Sequence, residues 1–302
     1  MLGKEHVLST IIFAITFVYI LIFQKFLVIT NIITPQQMIF DIISLPNIDY
    51  IYIFLLFIAM VIASTSPDVD VEQPTSIVRK RSVISSIWFT IVKYIAYLPM
   101  TAFFTILGDR SQTVGHRKIF HSIYGAIAYT ISIVIIFIII LTSIFFIISS
   151  YKNITNNTMT NSQTTNSITT YVGNSVNIIK YYWDFVLIFL IGSFIGFMAH
   201  LFEDSLTVSG IVYLPFITNI GLKGRLKTGS EEFYTIDHTN ILRQSKTGMV
   251  MIWMFNILFI FGYSFFNLYL LNLLYVFIIY FVGIFIFLMI TAGLKPSYIN
   301  RK

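Results

Sequence analysis

The chain has 302 residues, 57% of them hydrophobic and only 11% charged, where soluble domains carry roughly 25% charged and 45–50% apolar residues. Together with a mean hydropathy of +0.84, this excludes a water-soluble globule and leaves an integral membrane protein, one multi-pass domain over residues 1–302. The absence of cysteine excludes disulfides and thiolate metal sites, and the net charge of +6 calls for no nucleic acid, because the cytoplasmic loops of membrane proteins are basic in any case.

About 20 apolar residues cross the hydrocarbon as a helix. In chain order the first such run is Val7 to Phe23, continuing to about Thr30. A short second follows from Ile51 to Ala63, a third from Ile119 to Ile148 and a fourth from Phe185 to Phe202. Met249 to Leu294 holds 46 residues without a charge, more than twice the length needed, which predicts a hairpin over residues 249–294 turning near Asn267 or Asn272. The expected architecture is all-α, a polytopic transmembrane helical bundle of about six spans. The Asn/Thr/Ser-rich stretch 151–183 is read as a polar outer loop with too few apolar residues to fold alone.

Ser82 to Leu107 is apolar but contains Lys93 and Pro99. As a helix it places Ser82, Ser86, Thr90, Lys93 and Tyr97 on one face and Ile84, Trp88, Ile91, Ile95 and Leu98 on another. A central Lys in a span costs roughly 2.5–3.5 kcal/mol. An interfacial or re-entrant helix is therefore expected here.

Basic residues test this path independently. With the N-terminus in the cytoplasm, sixteen Lys and Arg fall inside and three, Lys25, Lys152 and Lys180, outside. That bias orients a multi-pass cell-membrane protein with both termini cytoplasmic and membrane lipids as its partners.

The same path brings chemistry to one face. His6 precedes the first span, and Asp68 and Asp70 follow the second. His116 and His121 open the third, and His200 and Asp204 close the fourth. All lie at the cytoplasmic boundary, although only Lys and Arg were used to choose the orientation. His200 and Asp204, four apart, are neighbours on a helix. Asp68 and Asp70, in an extended segment after Pro67, would point the same way. His116 and His121 would diverge by about 140° on one helix, so His116 is expected just before it. Any one of these residues alone reads better as an interfacial cap or a snorkelling polar group than as a ligand, but four elements converging on one face point to a site. Imidazole and carboxylate donors without sulfur suit Zn, Mn or Fe, and their number admits one or two ions. Glu203 falls off the His200–Asp204 face and reads as supporting. His238 reads as a solvated loop histidine.

The succession of His6, Pro67-Asp68-Val69-Asp70, His116-Arg117-x-x-x-His121-Ser122 and His200-x-x-x-Asp204-x-Leu206-Thr207-x-x-Gly210, then an apolar run ending at Pro215, resembles the YdjM family of membrane-bound metal-dependent hydrolases. The likeness covers residues 1–216. Lys118 stands where the family pattern has Gly, and Phe120 where it has Thr. The resemblance implies a divalent-metal hydrolase.

On that reading His6, Asp68, Asp70, His116, His121, His200 and Asp204 are metal-ligand candidates, with Asp68, His121, His200 and Asp204 nearest the ion. Asp70 and His116 are candidates to move protons, and Arg117 and Lys118 to hold an anionic group. The substrate expected at this plane is a lipid, a lipid-linked phosphate or another amphipathic molecule. The rival readings are a metal or ion transporter and a membrane scaffold with a structural metal.

Overall fold

The computed structural model describes residues 3–29, 50–70, 83–106, 119–157, 167–215, 217–226, 238–271 and 273–299. The helices are α1 (Gly3–Ile29), α2 (Tyr50–Ala63), α3 (Val83–Val92), α4 (Leu98–Ile106), α5 (Ile123–Asn157), α6 (Ser167–Ser205), α7 (His238–Phe265) and α8 (Leu273–Thr291). Five stretches are long and apolar enough to cross a membrane: His6–Gln24, Ile87–Ile106, Ile123–Ile140, Trp183–Ser205 and Lys246–Phe265. Tyr50–Ala63 and Tyr275–Thr291 are shorter apolar helices. The molecule is a helical membrane bundle.

Two buried clusters organise it. In the first, Phe13, Phe17 and Ile20 of α1 pack with Met60 of α2, Ile188 of α6, Ile252 and Phe255 of α7 and Tyr280 of α8. In the second, Ala63 meets Val92, Ala96, Phe120, Tyr129, Phe197 and Leu201. Within the first cluster, polar bonds fix α1 against the C-terminal hairpin. Thr16 Oγ1 and Tyr280 OH both donate to Asn256 Oδ1, at 2.7 and 2.8 Å, and Gln24 Nε2 donates to Tyr263 OH at 3.0 Å. Apolar contact alone gives little preference for helix over lipid, so such bonds and close packing set which helices pair.

The closest approach joins α2 to α6. Gly192 and Gly196, four apart, lie flat on α2. A Cβ at Gly192 would sit 2.8 Å from the Leu56 carbonyl oxygen, and one at Gly196 would overlap the Met60 carbonyl. This packing sets the distance between the chain around Asp68 and His200.

Helices α3 and α4 are joined through a π-helical turn, Lys93–Tyr97, into one rod. Trp88 Nε1 donates to Ser66 Oγ at 3.3 Å, just past the end of α2. The Tyr97 ring meets Phe120 at 5.4 Å, and Phe104 meets Tyr124 at 5.8 Å. From Trp88 to Phe104 is about 24 Å of helix. That length is enough to cross a membrane, where the sequence predicted an interfacial or re-entrant helix; the two ring contacts tie the rod to the start of α5. The rod's faces differ from those expected. Ile95 and Leu98 are exposed, while Val92, Ala96, Tyr97 and Met100 are buried. The π turn carries an extra residue and rotates the helix phase, and lipid-facing surface accepts the exposed apolar side chains.

Other differences are local. The stretch 151–183 is not a featureless loop: α5 runs on to Asn157 and α6 starts at Ser167, because adding a turn to an established helix costs far less than nucleating one. His238 opens α7 and does not lie in a loop. The hairpin turns at Asn267, in the left-handed region at φ 53°. A two-stranded antiparallel sheet, β1 (Ile220–Lys223) with β2 (Lys295–Tyr298), pairs Ile220 with Tyr298 and Lys223 with Lys295; the sequence reading did not foresee it.

Candidate metal centre

The centre lies where the two buried clusters meet, at one end of the bundle. His6 comes from the first turns of α1. Asp68 comes from the 3₁₀ turn Pro67–Asp70 after α2. His121 ends the 3₁₀ turn Ile119–His121. His200 and Asp204 occupy the last turns of α6. Asp68 and Asp70 are thus not in an extended segment. Proline suits the first position of a helical turn. The side chain of Asp70 and the residues His116, Arg117 and Lys118 lie outside the described ones.

Asp204 stays in place because α6 is capped immediately beyond it. Thr207 Oγ1 donates to the Asp204 carbonyl at 2.7 Å, and the Gly210 N–H donates to Thr207 Oγ1 at 3.3 Å. Gly210 has φ +65°, a conformation open to glycine at little cost.

His200 is the best-defined member. Its Nδ1 lies 2.6 Å from the Ser64 carbonyl oxygen. A carbonyl only accepts, so Nδ1 carries a hydrogen, and in the neutral ring Nε2 presents a lone pair. That Nε2 is buried and has no hydrogen-bond partner. It faces Asp68 Oδ1 at 3.6 Å and Asp204 Oδ2 at 3.6 Å. His121 Nε2 completes the ring, 3.9 Å from Asp68 Oδ1 and 3.7 Å from Asp204 Oδ2. Ligand atoms 2.0–2.1 Å from a tetrahedral zinc are about 3.3–3.4 Å apart. These four contacts are a few tenths of an ångström wider than that. Two sets of three, Asp68 with His121 and His200, and His6 with His200 and Asp204, each have ligand atoms within 4.8 Å of one another and could hold a metal ion.

His6 stacks on His200 with ring centroids 3.9 Å apart. Its Nδ1 is hydrogen-bonded to Glu203 Oε2 at 2.6 Å, and its Nε2 lies 3.3 Å from Asp204 Oδ1. Glu203 thus supports His6, a pairing the sequence could not show because the partners are 197 residues apart. Asp68, with a side chain 22% exposed, is the open edge of the cluster. Burial by itself would raise its carboxyl pKa, but His200 beside it, with help from His121 and His6, outweighs that and holds the group well below the usual carboxylate range.

The family model for the YdjM inner membrane protein matches residues 1–289. The chain belongs to that family. The match runs past residue 216 through α7 and nearly all of α8, so the C-terminal hairpin is part of what the YdjM members share. No curated protein and no solved structure matches the chain. The name places the protein in an inner membrane, in agreement with the helices that make up most of it.

Proposed function

We propose that this cluster binds a divalent cation and that the protein is a metal-dependent hydrolase acting on a lipid, a lipid-linked phosphate or another amphipathic substrate at the membrane boundary. The observation that carries the reading is the buried Nε2 of His200. Ser64 fixes the tautomer of the neutral ring, in which Nε2 faces two carboxylates at 3.6 Å with no donor among the three. Buried acceptors turned toward one another are costly, and a shared cation relieves the arrangement.

Asp68, His121, His200 and Asp204 hold the ion in this reading, with Zn, Mn or Fe favoured by nitrogen and oxygen donors. Such an ion lowers the pKa of a bound water toward 7. Asp70 and His116 are assigned to proton transfer, and Arg117 and Lys118 to an anionic group on the substrate. Asp68 is the side from which water and substrate enter. Exposed Tyr94, Ile95, Leu98 and Phe103 on the rod offer an apolar surface for an acyl or prenyl chain. The basic bias favours the cytoplasmic side for this end. A transit site would be expected near mid-membrane between repeats; these donors lie instead at the ends of α1, α2 and α6.

The test is elemental analysis of the purified protein beside His121→Ala, with turnover of phosphorylated lipids measured before and after chelation. The expected result is bound metal in the wild type, its loss in the variant, and hydrolysis that stops on chelation and returns with the ion. A wild type that takes up no divalent metal at neutral pH refutes the proposal.

A further inference from the structure

Asp204 turns its two oxygens to different partners. Oδ2 faces His121 and His200 at 3.7 and 3.6 Å, while Oδ1 faces His6 at 3.3 Å. The contact with His6 is the unexplained one. With the hydrogen of the 2.6 Å bond to Glu203 on His6 Nδ1, the Nε2 of a neutral ring points a lone pair at a carboxylate oxygen. Two acceptors at that distance repel unless something positive lies between them.

A proton and a metal ion are the two candidates, and distance separates them. A charge-assisted N–H···O bond is about 2.7–2.9 Å long, and a buried pair free to close would do so. Two ligands on one ion with bonds of 2.0–2.1 Å lie about 3.3 Å apart in a tetrahedral set, which matches the 3.3 Å observed. The bond from His6 to a carboxylate behind it is also the usual support for a metal-bound imidazole. His6 and the centre share burial as well: His6, His200, Glu203 and Asp204 are all at most 1% exposed.

We infer that the protein binds a second divalent cation, held by His6 Nε2 and Asp204 Oδ1, with the Asp204 carboxylate bridging it to the first ion and Glu203 fixing the His6 ring. Solvent oxygen completes its coordination. Two ions bridged this way lie about 3.5–4 Å apart, the spacing used to clamp the oxygens of a phosphoryl group during in-line displacement. This favours a phosphate ester over a carboxylic ester as the substrate class. The inference rests on the metal-centre reading above.

The experiment loads detergent-solubilised full-length protein with Mn²⁺, counts ions per chain by elemental analysis and records the electron paramagnetic resonance spectrum. Two ions per chain with an exchange-coupled spectrum are expected in the wild type. His6→Ala should keep one ion and show only an isolated-Mn²⁺ signal. Glu203→Gln, which retains the shape of the side chain, should weaken the second ion alone by 10–100-fold and keeps the test decisive if His6→Ala fails to fold. One ion in the wild type, unchanged in occupancy by either variant, overturns the second site and leaves the first standing. Wild type with none overturns both. Two ions that Glu203→Gln binds as tightly as the wild type does overturn the assignment to His6.

Discussion

Gly196→Ala adds a single methyl group at the closest contact between α2 and α6, and its effect can be worked out from geometry. The new Cβ would overlap the Met60 carbonyl, whereas ordinary C···O contacts are roughly 3.3–3.6 Å. Backbone cannot swing aside as a side chain can, so the two helices must part by about 1 Å. One turn further along each helix, Ser64 and His200 are joined by a 2.6 Å hydrogen bond, which stretches beyond the roughly 3.2 Å limit of a good N–H···O bond. The distance from His200 Nε2 to Asp68 Oδ1, now 3.6 Å, opens to about 4.6 Å. Two atoms bound to one ion at 2.0–2.1 Å can be at most about 4.2 Å apart, so these two can no longer share it. The expected outcome is a loss of metal affinity of at least the 10–100-fold seen when supporting contacts are removed, with a stability cost of about 1–3 kcal/mol for overpacking. Chelator competition reads the first and denaturant titration the second. Gly262→Ala is the control, because its Cβ would meet only Phe266 at an ordinary 3.6 Å. If Gly196→Ala binds metal as tightly as Gly262→Ala does, the helix spacing does not set the site and the reasoning fails.

Two further predictions concern charge. Because neighbouring histidines depress the Asp68 carboxyl in the folded state, its contribution to the stability of metal-free protein is fully present above its unfolded pKa of about 3.9 and is lost as pH falls below that toward the folded value; Asp68→Asn should flatten this acid limb in thermal melts, and an unchanged profile would refute the coupling. For the orientation of the chain, a cysteine at Asn161 should react with an impermeant thiol reagent from outside intact cells and one at Ser76 should not, the native chain having no cysteine; the reverse pattern ends the cytoplasmic assignment.

How far the sequence discloses this molecule depends on which constraint carries each feature. The placing of His6, Asp68, His121, His200 and Asp204 at one end follows from apolar run lengths and Lys/Arg bias, both of which act residue by residue along the chain. What depends on the meeting of distant segments is not readable. Glu203 looks misplaced on its own helix until α1 brings His6 against it. Ile220–Lys223 and Lys295–Tyr298 are four residues each, one with Gly and the other with Pro, and carry no alternation from which to infer strands. The phase of the rod of α3 and α4 fails at the π turn, because a single inserted residue rotates everything after it and leaves no compositional mark.

The small sheet has a consequence for the order in which the molecule can be made. Leu226 donates to the Leu206 carbonyl and Arg225 to that of Ala292, and Leu206, Leu226, Ala292 and Leu294 share one buried cluster. The segment that follows Asp204 is therefore braced by residues that leave the ribosome some 90 positions later. All five donors of the centre will already have been synthesised when this brace is still missing, and β1, already bonded to Ile211 through Leu222, lacks its partner strand until β2 arrives. A nascent chain stalled before that point carries all five donors while the segment after Asp204 still lacks its bond to Ala292 and its packing on Leu294.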